Sequence, residues 1–203
     1  MKIISIETSS HICGVSLLSD GVIIDKVEVN HPKVHAEKLP VQLNEIISRN
    51  NLDLDSIDGV AISAGPGSYT GLRIGMSLVK GFALATNLPI IPVQSLLGIE
   101  YQVKDKSEHW ICIFSHRDYV FAQKYKKGLP INEPKCIKIE LMKNGNIFGY
   151  GIPIDMQPKF YYETIPSSEF IGKLADENFV KWSTKDHQLV TPLYLTEFNI
   201  ATK

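Results

Sequence analysis

The feature that most constrains the fold is a glycine-rich turn between a short apolar run and a long apolar segment. The run covers residues 57–64, the turn is Gly65-Pro66-Gly67, and the apolar segment covers residues 69–87. A β-rich run bounded by turn residues predicts a buried strand, and a long segment without breakers predicts a helix. This order indicates an α/β layer, with the turn at the carboxyl end of the strand, where such sheets place their sites.

The predicted helix carries few charges. Its only charged side chains are Arg73 and Lys80, seven residues apart and therefore on one stripe. A helix that covers one face of a sheet normally has a polar outer face, so we expect a second apolar layer over this one. Gly71, Gly75 and Gly81 each cost about 1 kcal/mol inside a helix. We therefore expect a close contact there, either with the protein's own sheet or first helix or, the alternative we favour, with another chain.

Length and composition predict a globular protein. The 203 residues suit one large domain or two small ones, and 44% hydrophobic residues are enough for a proper core. The formal net charge of -1 argues against a strongly basic nucleic-acid surface acting alone, and leaves local basic patches open. Lys124, Lys126 and Lys127 form a local cluster, which we interpret as a solvated edge.

The cysteines and the short lengths of the apolar runs predict a cytoplasmic protein with no membrane contact. The three cysteines, Cys13, Cys112 and Cys136, lack metal-ligand spacing, so we expect reduced thiols. The N-terminal apolar run meets a charge at Glu7, too early for a signal peptide. No apolar run approaches the ~20 residues of a membrane span.

The order of predicted elements is that of a ribonuclease-H-like half-domain, the unit from which actin, sugar kinases and Hsp70 are built. Strands are predicted at residues 2–7, 12–18, 22–29, 57–64 and 89–93, with helices at 35–51, 69–87 and 95–102. Asp20-Gly21 is a hairpin signal between the second and third strands. We therefore expect a two-lobed actin-like α/β fold whose N-terminal lobe, residues 1–103, contains a mixed sheet of order 3-2-1-4-5.

Residues 104–203 are predicted to form a smaller, divergent second lobe. Strands are expected on both sides of the turn at residues 115–118, and again at 135–141 and 147–150. A helix is expected to begin at residues 166–169. Its inner face is predicted to carry Phe170, Leu174, Phe179 and Trp182.

Two turns have residues typical of phosphate-binding loops. They comprise Glu7, Thr8 and Ser9 after the first strand, and Gly65, Gly67 and Ser68 before the long helix. A helix N-terminus favours anions, but no lysine follows as in a Walker loop, and the first turn lacks the usual aspartate and glycine. We interpret both as structural turns, and as a vestigial nucleotide loop.

Histidine patterns predict no metal site or catalytic residue. His31 and His35 have the i, i+4 spacing of metal ligands, but Pro32 lies between them, which favours exposed loop histidines. The triplet at residues 116–118 matches the start of a kinase catalytic loop, yet the asparagine expected downstream is Gln123.

Several of these motifs together resemble the TsaB (YeaZ) family, which takes part in bacterial threonylcarbamoyladenosine synthesis on tRNA. They are Glu7-Thr8-Ser9, His35, Leu39-Pro40, the block at residues 65–75 and Lys80-Gly81. The resemblance covers residues 1 to about 98, and residues 192–195 are similar to the family's closing motif.

The resemblance implies a non-catalytic subunit that pairs with the catalytic paralogue TsaD. The ATPase TsaE joins the complex, which transfers a threonylcarbamoyl group to the adenosine next to the anticodon of tRNAs reading A-starting codons. ATP and a metal ion are expected in the partner subunits and no cofactor in this chain. A homodimer is expected when the chain is alone, and tRNA contact through the complex.

The resemblance also implies a partner surface on the first two helices. Carried onto this sequence, it comprises His35, Leu39, Leu43, Ile46, Tyr69, Leu72, Arg73, Met76 and Lys80. Two alternatives stay open: an actin-like ATPase or phosphotransferase that uses Thr8, Ser9 and Gly67, and a metalloprotease that uses His31 or His35.

Overall fold

A five-stranded mixed sheet forms the N-terminal part of the protein in the computed structural model, which describes residues 1–195. Its strands are β1 (Lys2–Glu7), β2 (Ile12–Ser19), β3 (Val22–Asn30), β4 (Gly59–Ser63) and β5 (Ile90–Val93). Their spatial order is β3-β2-β1-β4-β5, with β4 parallel to both β1 and β5. The predicted mixed sheet and its order are confirmed.

Two helices, α1 (His35–Arg49) and α2 (Tyr69–Thr86), cover one face of this sheet. The apolar side chains of α1 repeat at the spacing of one helical face and point inward. Together with α2 and the strands they form the main core, which includes Ile4, Ile6, Leu39, Leu43, Ile46, Ile62, Met76, Val79 and Ala83. The parallel register of β1 and β4, Ile6 beside Ile62, brings the carboxyl ends of both strands together.

A second, six-stranded sheet follows α3 (Ser95–Glu100). Its strands are β6 (His109–His116), β7 (Tyr119–Lys126), β8 (Leu129–Pro130), β9 (Lys135–Lys138), β10 (Ile147–Tyr150) and β11 (Tyr161–Glu163). The order is β11-β10-β6-β7-β8, and β9 also pairs with β7. Leu96 and Ile99 of α3 pack against Ile111, Ile113 and Tyr125 of this sheet. The predicted division at residue 103 falls between α3 and β6.

Two further helices, α4 (Ser168–Glu177) and α5 (Phe179–Trp182), correct one expectation. The segment was expected to belong to the second lobe, but α4 packs on the first sheet, on the face opposite α1 and α2. Its contacts there are between Ile171, Leu174 and Ala175 of the helix and Ile3, Ala61, Ile91 and Val93 of the sheet. Gly172 permits the approach, because a Cβ there would lie 2.2 Å from Leu18 Cδ1.

The predicted inner face of this segment is only partly formed. Leu174 is buried, Phe179 and Trp182 pack against the same cluster, and Phe170 is half-buried beside Tyr101. Residues 196–203, the end of the predicted second lobe, lie outside the described residues. None of the helices in residues 1–195 combines the length and apolarity needed to cross a membrane.

Candidate functional site

The two turns predicted to resemble phosphate-binding loops meet where β1 and β4 end. Their backbones are in direct contact with each other. The Ser68 amide donates a hydrogen bond of 2.6 Å to the Ser9 carbonyl. A Cβ at Gly67 would lie 2.2 Å from that same oxygen, and a Cβ at Gly71 would lie 2.1 Å from the Thr8 carbonyl oxygen. Glycine is therefore required for α2 to begin against the backbone of the β1 turn.

The polar groups of these turns bond to one another. The Ser9 hydroxyl and amide donate to the Glu7 carboxylate at 2.6 and 2.5 Å, and the Thr8 amide donates to Ser63 Oγ at 3.0 Å. Ser68 Oγ accepts from the Gly71 amide at 3.2 Å and caps α2. These bonds occupy the Thr8 and Ser9 amides and the Ser9 hydroxyl, whereas Thr8 Oγ1 is buried without a hydrogen-bond partner.

Glu7 is buried at the centre of this junction. Burial raises the pKa of its carboxyl group to about 7, although the two bonds from Ser9 favour the charged form. The side chain faces the protein interior rather than solvent.

The segment near residue 193 completes the junction, a contact that sequence reasoning missed. The Leu193 amide donates to the Ala64 carbonyl at 2.8 Å, and a Cβ at Gly65 would lie 2.8 Å from the Leu193 carbonyl oxygen. The Tyr194 ring lies 5.0 Å from that of Tyr69. The closing motif was visible in the sequence, but nothing there indicated what it covers.

A cleft of about 1040 Å³ opens between the two sheets at this junction. Its walls come from the turns after β1 and before α2, from the β6–β7 turn, and from residues 193–195. His11, His116 and Arg117 are exposed at this cleft. Within residues 1–195 no three histidine, cysteine or acidic side chains are grouped to hold a metal ion.

Six of the nine residues predicted to line a partner surface are buried, and this corrects the prediction. They are His35, Leu39, Leu43, Ile46, Leu72 and Met76. The i, i+4 stripe chosen on α1 is the face that packs on the sheet. His35 Nε2 donates to the Ile12 carbonyl at 3.0 Å, and burial lowers the pKa of this ring. Only Tyr69, Arg73 and Lys80 retain exposed or half-buried side chains.

The side of α2 that is turned away from the sheet forms a surface, which we call the outer face of α2. It comprises Thr70, Arg73, Ile74, Ser77, Leu78, Gly81 and Leu84, all exposed or half-buried. Arg73 lies 3.9 Å over the Tyr69 ring, and the half-buried Lys80, on the same stripe, is the only other charged side chain of α2. Leu84 is 76% exposed, and Val41 of α1 is 59% exposed. The expected second apolar layer over α2 is not supplied by the part of the chain that the structure describes.

The glycines of α2 do not all face the same way. Two of them face this protein's own β1 turn, and one faces outward. Gly71 and Gly75 face the β1 turn, since a Cβ at Gly75 would lie 2.3 Å from Thr8 Oγ1. For these two, the favoured contact with another chain is wrong. Gly81 lies on the outer face of α2, where a Cβ would have no described atom within 4 Å.

Comparisons with known proteins point to one family. The family model described as TsaD, tRNA N6-adenosine threonylcarbamoyltransferase, matches residues 29–135. The chain is 32% identical to the tRNA threonylcarbamoyladenosine biosynthesis protein TsaB of Haemophilus influenzae, over 96% of this chain and 93% of the relative. It is 30% identical to the TsaB protein of Bacillus subtilis, over 88% of this chain and 82% of the relative.

A solved structure supports the same assignment at the level of the fold. YeaZ from Pseudomonas aeruginosa superposes with a TM-score of 0.81 at 21% identity, covering 96% of this chain and 99% of that one. The chain therefore belongs to the TsaB family of tRNA threonylcarbamoyladenosine biosynthesis proteins.

Proposed function

We propose that this chain is a non-catalytic subunit of the threonylcarbamoyl-transfer complex and that it binds TsaD through the outer face of α2. The observation that carries the proposal is the composition of this face. It combines exposed apolar and small side chains with only two charges along the whole helix, Arg73 and Lys80, the composition expected of a surface that another protein covers.

The closed junction supports the non-catalytic part of the proposal. The Ser9 hydroxyl is bonded to Glu7, and Gly67 and Gly71 lie against backbone carbonyls. A nucleotide phosphate would have to displace these contacts. We therefore assign ATP use and metal binding to partner subunits, including TsaE, and transfer chemistry to TsaD.

The same surface explains the homodimer that we expect for the isolated chain. An apolar face that is covered by TsaD in the complex is available to a second copy when TsaD is absent. TsaD and the second copy then compete for one surface, so TsaD should dissociate the homodimer.

A matched pair of variants tests the surface. Leu84 on the outer face of α2 and Leu189 outside it are both leucines with 76% exposure. Leu84→Glu should weaken TsaD binding by about tenfold or more, because a charge would be buried without a partner. Leu189→Glu should change the affinity less than about twofold. Titration of labelled TsaD measures both.

The variants are informative because neither side chain belongs to the core. Met76, chosen from the sequence as a test position, is 5% exposed and packs in the main core, so a charge there would unfold the protein. Equal affinities of Leu84→Glu and Leu189→Glu would contradict the proposed surface. Absence of any TsaD binding by the unmodified chain would contradict the proposed function itself.

A further inference from the structure

The structure gathers lysines from three separate segments at one end of the second sheet. The Lys127 amide donates to the Lys106 carbonyl at 3.3 Å, and Trp110 Nε1 donates to the Lys143 carbonyl at 3.3 Å. Lys124 Nζ lies 2.7 Å from a Glu108 oxygen. These contacts join residues 104–108, 124–128 and 143–146 into one surface, which we call the lysine patch. Its lysines are Lys104, Lys106, Lys124, Lys126, Lys127 and Lys143.

The lysine patch has a charge opposite in sign to that of the whole protein. Its three segments contain six lysines and two carboxylates, whereas the chain has a formal net charge of -1. Glu108 is paired with Lys124, and Asp105 is held by Ser107 and by Asn146 Nδ2 at 2.8 Å. Both carboxylates remain charged, and Lys126 as well as Lys124 lowers the pKa of Glu108, so six lysines and two carboxylates leave the three segments with a net charge of +4.

The other five lysines of the patch form no ion pair within residues 1–195, and all five are exposed. Elsewhere on the protein Lys26, Lys38, Lys138 and Lys173 each lie within 4 Å of a carboxylate oxygen, whereas Lys33, Lys181 and Lys185 form no described ion pair. The patch is therefore distinguished by five unpaired lysines on three segments that contact one another. Like charges held close together without counter-ions repel one another. A polyanion that covers the patch would relieve this repulsion.

The position of the lysine patch leaves it accessible when the other surfaces are used. It lies at the beginning of β6 and the end of β7, whereas the cleft lies at the turn that joins these strands. Eight residues of strand separate the two, a distance of roughly 25 Å. No residue of α1 or α2 belongs to the patch.

We propose that the lysine patch binds the phosphate backbone of tRNA, so that this subunit contacts the RNA directly. The inference rests on the proposed function, which supplies tRNA as the polyanion of the complex. Lysine ammonium groups act as point charges on phosphates and position an RNA without reading its sequence. The exposed side chains of Ser107 and Asn144 add neutral groups within the same patch that can bond to phosphate or 2′-hydroxyl oxygens.

Two triple variants with the same change of net charge test the proposal. The patch variant is Lys106→Glu/Lys126→Glu/Lys127→Glu, and the control is Lys33→Glu/Lys181→Glu/Lys185→Glu. All six positions are exposed and outside any described ion pair. Fluorescence anisotropy with labelled tRNA measures the affinity of the full chain alone and of its complex with TsaD, between roughly 50 and 200 mM salt.

The patch variant should bind tRNA about tenfold or more weakly, whereas the control should stay within about twofold of the unmodified chain. The slope of log affinity against log salt should fall by about 2 to 3 for the patch variant, at about 0.7 to 0.9 per lost phosphate contact. Equal losses in both variants would show a net-charge effect and overturn the proposal. Unchanged tRNA binding by the patch variant would also overturn it.

Measuring TsaD affinity on the same samples separates this inference from the proposed function. Both triple variants should bind TsaD as the unmodified chain does. A patch variant that loses TsaD rather than tRNA would show that the lysines contact an acidic protein surface, and would overturn the RNA proposal. Failure of the unmodified chain to bind TsaD would overturn the proposed function, while the tRNA titration of the chain alone would still decide the patch.

Discussion

Glu7, in the turn after β1, is buried and hydrogen-bonded within the protein. In a phosphate loop an acidic residue at this position would face the ligand, but here the carboxyl group is 1% exposed and accepts two hydrogen bonds from Ser9. Its pKa is raised from 4.5 to about 7 by burial. The unfolded chain therefore loses this proton at lower pH than the folded protein does.

We expect Glu7 to make stability fall as the pH rises from about 4.5 to about 7, because the folded state binds more protons across this range. Glu7→Gln keeps an acceptor for Ser9 and carries no charge. Its free energy of unfolding should exceed that of the unmodified protein by about 1 to 3 kcal/mol near pH 8. Urea titrations near pH 5 and pH 8 measure the difference.

Glu140→Gln, at an exposed position, is the control and should leave the pH dependence unchanged. A Glu7→Gln protein that is less stable than the unmodified protein near pH 8 would mean that the ionised carboxylate is the form the fold requires.

At the scale of elements, α2 has two faces with opposite requirements for its glycines. Gly71→Ala should destabilise the protein by about 2 kcal/mol or more, because the new Cβ would lie 2.1 Å from the Thr8 carbonyl oxygen. Gly81→Ala meets no described atom within 4 Å. It should stabilise the protein by about 0.5 to 1 kcal/mol through helix propensity. Thermal unfolding of both variants measures the contrast, and equal effects would contradict the assigned packing.

The first sheet could be predicted from the sequence because its signals are local. Asp20 and Gly21 both have positive φ in the structure, as a tight hairpin requires, and this fixes β3 beside β2. The right-handed crossovers then place β4 and β5 in order. The position of α4 could not be predicted, since an amphipathic pattern shows that a helix has a buried face but not which sheet it covers.

The residues of the partner surface also could not be assigned correctly from the sequence. The family resemblance assigned Leu39, Leu43 and Ile46 to the partner surface, but apolar residues at this helical spacing form the face of α1 that is turned to the protein's own core. What distinguishes the outer face of α2 is a shortage of charge where a polar face is expected. That shortage was visible in the sequence, whereas the assignment of each side chain to a face required the structure.

At the scale of the whole molecule, the lysine patch lies apart from the outer face of α2 and from the cleft, which meet each other at Thr70. The outer face of α2 belongs to the first lobe, the cleft lies between the sheets, and the lysine patch lies at the far end of the second sheet. This separation allows a protein partner and tRNA to be bound at the same time. We therefore expect the chain to act as a subunit that holds its partners.

The central claim is tested most directly by threonylcarbamoyl transfer to tRNA in a mixture of TsaD and TsaE, followed as this chain is titrated in. We predict that transfer depends on the chain and that Leu84→Glu reaches the same maximal rate at about tenfold or more higher concentration, because only binding is weakened. Leu189→Glu should follow the unmodified chain. Full transfer without the chain, or a lowered maximal rate with Leu84→Glu at saturation, would contradict the proposed role.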